Sequence, residues 1–280
     1  MTDLIRFVKT RHHYMPYDDL FRLIEVSGFE TIYVDELNPS EHGVFIVSPM
    51  NGEFRPHMDN HMYKRRNAHI ILWNLERPDG SAGSVGSYGE SNRELIYSRN
   101  VDEVWCSDRR MAEETTLRFV PLGSDEGLGT PGDGNKRYYF CHLSYEVPRR
   151  QTIYKQFDRP FIGPNSWPPE RDQVLWSSKF ALNVHQDHHP FQEPLRFALF
   201  AAYGLPIISE TIYDSYPWSD EFMIFAGYDH LARTLREALG DDYRKYRDMG
   251  LRARERMCHE FNFRQQVELA VSQSYGRNWR

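Results

Sequence analysis

The chain has 280 residues, a length that accommodates two domains of average size. Hydrophobic residues make up 40% and charged residues 26%, which is typical of a folded globular protein and excludes a disordered chain. The formal net charge of −6 excludes a basic coat over the whole chain for binding nucleic acid, although a local basic patch stays open.

The cysteine pattern and the lengths of the apolar runs indicate in which cellular compartment the protein is expected. The 3 cysteines are widely separated and odd in number, so we expect a reducing environment and no disulfide framework. No apolar run approaches the length that crosses a bilayer, and the first residues lack the pattern of a signal peptide. We therefore expect a soluble, cytoplasmic protein without a transmembrane segment, and we leave its oligomeric state open.

In the first half, short β-rich runs alternate with helical patterns, which is typical of parallel sheets with crossover helices. A helix is expected from Asp18 to Val26, with Gly28 as its stop signal. The apolar runs predict strands at residues 4–10, 31–37, 43–49, 68–76, 101–108 and 117–124. These strands are enough for one complete sheet.

Residues 124–136 are rich in glycine and predict a flexible linker. The linker would join a first domain at 1–123 to a second domain at 137–280. Within the second domain, the restarted alternation predicts strands in 137–145, 159–163, 172–184, 205–210 and 221–228. The expected fold class is therefore α/β, with two Rossmann-like domains facing across a cleft where ligands bind.

The segment 179–210 follows a pattern in which a strand leads through a loop, an arginine-bearing helix and a glycine turn into a buried strand. The residues that carry this pattern are Leu182, Asn183, His185, Arg196, Ala202, Gly204, Pro206 and Ser209. The pattern resembles the nucleotide-binding half of GT-B glycosyltransferases of the "glycosyl transferases group 1" kind. The resemblance implies the GT-B fold, with a last helix that can pack back on the first domain. It also implies transfer of a sugar from a nucleotide-sugar donor to an acceptor hydroxyl.

Basic residues beside predicted helix starts indicate where the diphosphate of such a donor binds. Arg149 and Arg150 lie at one helix start, and Arg196 lies in the first turn of another, where a cation is unfavourable unless it faces an anion. The alternative for each arginine is a solvated surface position. The expected donor-binding residues are Ser144, Tyr145, Arg149, Arg150, His185, Glu193, Arg196, Ser209 and Glu210.

One position departs from the family. The resemblance implies a glutamate that binds the nucleotide ribose five residues before the glycine of the turn, and this chain has Leu199 there. The ribose contact of the family is therefore missing. Glu193 and Glu210 are the nearby acids that would replace it.

Removing the proton of the acceptor hydroxyl needs a base with a pKa near neutrality. His12 and His13 follow the first predicted strand, and Asp59 lies in a long polar loop at 48–67 that would form an acceptor wall. These three residues are the candidate catalytic residues. The expected acceptor is a hydroxyl of a glycan, a lipid-linked sugar, a protein or a modified nucleic-acid base. The resemblance requires no metal or other cofactor, because basic side chains and helix dipoles neutralise the leaving group.

Three other functions stay open: a nucleotide-sugar epimerase, a non-catalytic nucleotide-sugar-binding module and a metal-dependent hydrolase. The hydrolase hypothesis uses the histidines and aspartates of two segments, which are His57, Asp59, His61, His185, Asp187, His188 and His189. The spacing lacks the glutamate of a zinc-protease helix, and Pro56 and Pro190 indicate loops, so this is the weakest of the three.

Overall fold

The computed structural model describes residues 5–11, 18–37, 42–48, 68–75, 101–115, 117–132, 136–144, 146–158, 160–162, 170–188 and 190–278. The chain forms two compact units. One consists of residues 1–122 together with 263–280, and the other of residues 123–262.

The strands of both units are short, and most of the inner strands are largely buried. In chain order they are β1 (Ile5–Lys9), β2 (Glu30–Tyr33), β3 (Gly43–Val47), β4 (Ala68–Asn74), β5 (Glu103–Cys106), β6 (Arg118–Phe119), β7 (Tyr138–His142), β8 (Pro160–Ile162), β9 (Ser178–Asn183), β10 (Ile207–Glu210) and β11 (Met223–Ala226). Each predicted strand segment contains one of these strands, except that β2 begins one residue before the predicted segment 31–37.

The helices in the described part of the chain lie between strands or follow the last strand. They are α1 (Asp18–Val26), α2 (Arg109–Thr115), α3 (Pro148–Tyr154), α4 (Glu170–Ser177), α5 (Pro194–Ala202), α6 (Tyr228–Gly240), α7 (Tyr243–Glu255) and α8 (Phe263–Asn278). Among the residues that the structure describes, no helix is both long and apolar enough to span a membrane.

Each unit has its own parallel sheet. Within the described ranges, the first unit has six strands in the order β2-β1-β3-β4-β5-β6, and the second has five in the order β11-β10-β9-β7-β8. All residues of the inner strand β3 are buried, as expected for a parallel strand that is covered on both faces. The predicted α/β class with two parallel sheets is therefore confirmed.

The last helix, α8, belongs to the first unit. Phe263, its first residue, is fully buried, and its ring stacks on Trp73 with 5.7 Å between the ring centroids. The rings of Phe7 and Phe29 pack against it at 5.8 and 6.0 Å. The second domain was expected to extend through residue 280, whereas the second unit ends at Asn262 because this aromatic packing holds α8 on the first sheet.

A polar contact holds the other end of α8. Arg118 donates to Glu103 Oε1 at 2.8 Å and to Ser274 Oγ at 2.6 Å, and its other terminal nitrogen donates to Gln273 Oε1 at 2.6 Å. The Ser274 hydroxyl also donates to Glu103. These side chains connect α8 to the neighbouring strands β5 and β6.

The glycine-rich segment differs from the expected flexible linker. Its described residues 124–132 lie in the second unit, where the buried Ser124 hydroxyl donates to the carbonyl of Ala198 at 2.9 Å. A Cβ atom at Gly129 would meet the ring of Tyr203, and one at Gly132 would lie 2.8 Å from the Cα of Trp176. These glycines therefore allow close packing, which composition alone does not distinguish from flexibility.

Replacing Phe263 tests the anchoring of α8. Phe263→Ala should lower the free energy of unfolding by about 3–5 kcal/mol, because it removes a fully buried ring from an aromatic cluster. Urea denaturation followed by far-UV circular dichroism measures the change. Leu269→Ala, on the same helix but 53% exposed, is the control and should change stability by no more than about 0.5 kcal/mol. Equal effects of the two substitutions would contradict the anchoring role.

Glu103 makes a pH-dependent contribution to stability. Burial alone raises its pKa, but hydrogen bonds from His69, Ser274 and Arg118 outweigh burial and lower the pKa from 4.5 to about 2. A carboxylate with a lowered pKa stabilises the folded chain above its unfolded-state pKa, and the stabilisation disappears as the pH falls through the folded-state value.

We therefore expect Glu103→Gln to cost about 1–3 kcal/mol at pH 7. The cost should shrink between pH 4.5 and about 2. Urea denaturation of wild type and variant at pH 7, 4 and 3 checks the trend, with the exposed Glu114→Gln as the control. A cost that is independent of pH would argue against the lowered pKa.

Candidate functional site

Five charged residues meet at the carboxyl edge of the second sheet, and we call them the charged cluster. Arg149 and Arg150 come from the first turn of α3, and Arg196 comes from the first turn of α5. Glu193 is the N-cap residue of α5, and Glu210 is the last residue of β10. Because the carboxyl ends of parallel strands share one edge, and the following helices begin there, the fold brings these residues together.

Arg149 is held from several directions. Its guanidinium forms a bidentate ion pair with Glu210, in which Nη1 donates to Oε2 at 2.7 Å and Nη2 donates to Oε1. Nη1 also donates to the carbonyl of His185 at 2.9 Å. The guanidinium carbon lies 3.9 Å from the ring centroid of Tyr228, whose hydroxyl donates to the Arg149 carbonyl at 2.7 Å. The bidentate pair and the stacked ring fix the orientation of this side chain.

Arg150 and Arg196 are both near Glu193. Arg196 forms an ion pair with Glu193 and donates to Asn183 Oδ1 at 2.6 Å. An Arg150 nitrogen lies 4.0 Å from the Glu193 carboxylate, and its Nη1 donates to Ser144 Oγ at 2.6 Å. Asn183 ends β9, so this strand and the two helix starts determine where both guanidiniums lie.

The charged cluster is largely enclosed by protein. The exposed fractions of the side chains are 13% for Arg149, 3% for Arg150 and 16% for Arg196, so none of the three is the solvated surface arginine of the alternative hypothesis. Three guanidiniums and two carboxylates give these five residues a formal charge of 3 − 2 = +1. Burial, together with the neighbouring arginines, lowers the pKa of Arg150 below its ordinary value. The cluster therefore favours an anionic ligand.

A fully buried histidine lies next to the cluster. His142 ends β7, and its Nδ1 lies 2.8 Å from the carbonyl of Leu182; since a carbonyl only accepts, Nδ1 carries the proton. Burial, reinforced by the charges of Arg150 and Arg196, lowers its pKa well below 6.5. Tyr154 packs against it with 5.1 Å between ring centroids. Within the described residues, His142 Nε2 and the Tyr154 hydroxyl are buried without a hydrogen-bond partner.

His185 and Ser209 have largely internal contacts. His185 follows β9, which ends at Asn183, and it is only 3% exposed. The backbone N–H of His185 donates to Glu210 Oε2 at 3.1 Å, and its ring Nε2 is 3.1 Å from the carbonyl of Thr211. The fully buried Ser209 hydroxyl accepts a hydrogen bond from Asn183 at 3.1 Å.

The structure thus brings together most of the predicted donor-binding residues. These are Ser144, Arg149, Arg150, His185, Glu193, Arg196, Ser209 and Glu210. Leu199, at the position of the ribose-binding glutamate of the family, is 2% exposed in α5. The remaining predicted residues lie outside the described ranges, and they are His12, His13, Asp59 and Tyr145.

The metal hypothesis gains no support from the described residues. His57, His61 and His189 lie outside the described ranges. In the part of the chain that the structure describes, no group of three or more His, Cys, Asp or Glu residues is arranged to hold a metal ion.

Sequence reasoning missed three residues of the site: His142, Tyr154 and Tyr228. It named Asn183 as part of the family pattern but gave it no role. A polar residue that ends an apolar buried strand was an available signal for His142 and Asn183, because such residues lie at the ligand-binding edge of a parallel sheet. Tyr228 offered no such signal. Its contact with Arg149 joins residues 79 positions apart in the chain.

One part of the chain matches a known family model. Residues 149–272 match the family model described as "Glycosyl transferase-like". This range begins at Arg149 and ends within α8, so it contains every residue of the charged cluster. The segment 179–210, which carries the resemblance to glycosyltransferases, lies within the matched range, so the resemblance is confirmed for this part of the chain. The comparison with curated proteins gives no match.

Comparison with solved structures shows that this chain has the GT-B fold of glycosyltransferases. HepE of Anabaena, solved in complex with UDP-glucose, has a TM-score of 0.65 at 9% identity, over 96% of this chain and 99% of that chain. AviGT4, a glycosyltransferase involved in avilamycin A biosynthesis, has a TM-score of 0.53 at 12% identity, over 97% and 96%. TarM has a TM-score of 0.63 at 10% identity over 86% of this chain, which spans 56% of the TarM chain.

The protonation state of His142 is open to a direct test. Because burial and two arginines lower its pKa well below 6.5, the ring should stay neutral with the proton on Nδ1 throughout the range from pH 8 to pH 5. Imidazole nitrogen NMR measures this state, and His142→Gln identifies the resonance by removing it. A titration midpoint near pH 6.5 for that resonance would contradict the assignment.

Proposed function

We propose that this protein transfers a sugar from a nucleotide-sugar donor to an acceptor hydroxyl, and that the charged cluster binds the donor diphosphate. One observation carries the proposal: a net positive group of buried arginines lies at the carboxyl edge of a parallel sheet, inside the glycosyl transferase-like segment. Ligands of open parallel sheets bind at this edge, and helices that begin there favour anions.

The chemistry of transfer explains why cations are needed. The acceptor oxygen loses its proton to a base and forms a bond to the anomeric carbon of the sugar. The bond from that carbon to the diphosphate oxygen breaks, and its electron pair leaves with the nucleoside diphosphate. Negative charge therefore develops on the leaving group in the transition state, where preorganised guanidiniums stabilise it most.

A UDP-sugar is the donor that we propose to test first, because HepE was solved with UDP-glucose. Glu193 replaces the missing ribose-binding glutamate in this proposal, since Leu199 is buried and apolar while Glu193 lies at the helix start beside two arginines.

His12, His13 and Asp59 remain the proposed bases, and the acceptor is a hydroxyl of a glycan, a lipid-linked sugar, a protein or a modified nucleic-acid base. A cytoplasmic location is proposed because the three cysteines, all within the described residues, are buried and free.

A module that binds nucleotide sugars without transferring the sugar is the second candidate. The observation that favours it is Leu199, which is buried at the position where the family has a functional glutamate. Release of nucleoside diphosphate in the presence of donor separates the two functions: a transferase releases it by transfer or slow hydrolysis, whereas the module only binds.

Arg196→Ala tests the proposed function. In the wild type, thermal shift with a panel of nucleotide sugars should identify at least one that raises Tm. The variant should bind that nucleotide sugar at least about tenfold more weakly, because a charge-assisted contact is lost.

The matched control is Arg110→Ala, which removes an exposed arginine that pairs with Glu114 on α2. It should leave donor affinity unchanged. If Arg196→Ala lowers only Tm and donor affinity stays at the wild-type value, Arg196 does not bind the diphosphate.

A further inference from the structure

The Arg149–Glu210 ion pair encloses the backbone of a single residue. Arg149 Nη1 donates to the carbonyl of His185 at 2.9 Å, and the backbone N–H of His185 donates to Glu210 Oε2 at 3.1 Å. Both main-chain polar groups of His185 are thus bound by the two members of one bidentate ion pair. Because the two residues lie 61 positions apart, the pair also connects the start of α3 to the end of β10.

The Tyr228 ring covers one face of the Arg149 guanidinium. The Tyr228 ring stacks on the guanidinium at 3.9 Å, and the Tyr228 hydroxyl donates to the main chain of Arg149. An anion that took the terminal nitrogens of Arg149 would have to displace a carboxylate that is itself only 10% exposed. The remaining donor, Nε, is buried and has no hydrogen-bond partner among the described residues. The geometry of Arg149 is that of a structural ion pair.

Arg150 and Arg196 also have protein partners, since Arg150 Nε donates to the carbonyl of Val184 at 2.9 Å and Arg196 donates to Asn183. They differ from Arg149 in their charge balance. Glu193 is the cluster carboxylate beside both, so these three residues have a formal charge of 2 − 1 = +1. Arg149 and Glu210 together have a charge of 1 − 1 = 0. The excess positive charge of the cluster therefore resides with Arg150 and Arg196.

We infer that the three arginines have two roles. Arg149 and Glu210 are positioning residues that form a clamp on the backbone of His185, while Arg150 and Arg196 contact the diphosphate. This inference rests on the proposed function and changes the role that the sequence suggested for Arg149 and Glu210.

The clamp has a route to the diphosphate site along β9. Asn183, two residues before His185, accepts a hydrogen bond from Arg196 at 2.6 Å. Holding the backbone of His185 holds the end of β9, and with it the Asn183 amide that orients Arg196. Loss of either clamp residue therefore lets the end of β9 move, and Arg196 loses the orientation in which it contacts the donor.

The two possible roles of Arg149 predict different effects of Glu210→Gln on the affinity for UDP. We measure the affinity of the full-length protein for UDP by isothermal titration calorimetry with Arg149→Met, Glu210→Gln and the double variant. If Arg149 and Glu210 form a clamp, each single substitution should weaken UDP binding about tenfold. The double variant should bind UDP no more weakly than either single variant, because each substitution already breaks the same ion pair. If Arg149 instead contacts the diphosphate, Arg149→Met weakens binding, whereas Glu210→Gln leaves it unchanged or tightens it by removing a negative charge.

Two controls separate positioning from general destabilisation. Arg118→Met and Glu103→Gln break an ion pair of the first unit whose side chains are 23% and 20% exposed, and they should lower Tm but change UDP affinity less than twofold. In an Arg196→Ala background, Glu210→Gln should weaken UDP binding less than twofold further, because the residue that the clamp orients is gone. A further tenfold loss in that background would overturn the positioning role.

The outcomes distinguish this inference from the proposed function. If the wild type binds UDP and Glu210→Gln binds UDP as tightly or more tightly, the clamp is overturned and the proposed function stands. A wild-type protein that binds neither UDP nor any member of the nucleotide-sugar panel overturns both.

Discussion

The second unit depends on the neutralisation of buried arginines. Three guanidiniums lie where α3 and α5 begin, and an unpaired buried charge would cost several kcal/mol. Glu193 and Glu210 supply the compensation from a helix cap and a strand end, and both remain close to main-chain donors or neighbouring guanidiniums. Over the five described residues of the charged cluster, the positive charges exceed the negative ones by one. In the proposed function, this excess lies where two helices begin and binds the donor diphosphate.

The neutral side chains around the cluster are part of the same arrangement. His142 stands at the end of β7 beside two arginines, and its protonation would add a further positive charge to an enclosed group. Burial keeps it neutral, and its Nδ1 proton is directed to the carbonyl of Leu182 on the adjacent strand β9. The electrostatics of the site therefore depend on which buried groups stay uncharged as much as on those that carry charge.

The fold was predictable where the signal is local. Alternation of apolar runs and helical patterns identified the strands and helices of both sheets, because side-chain periodicity reflects the conformation of a short segment. Arginines at helix starts were also recognisable, since a cation in a first turn conflicts with the helix dipole. The glycine-rich segment was predicted to be a flexible linker, but glycine occurs both in flexible segments and where chains pack closely. The neighbours that distinguish the two cases at Gly129 and Gly132 come from distant parts of the chain.

By itself, the sequence determined the α/β class, the order of the elements and the chemical character of the candidate site. The family resemblance allowed the last helix to pack back on the first domain, and the tertiary structure shows that α8 does so. Only the tertiary structure decided that Arg149 pairs with Glu210 and that Tyr228 covers the guanidinium. Each of these contacts joins residues that are far apart in the chain. No periodicity or local propensity encodes such a pairing, because it results from how whole elements pack against one another.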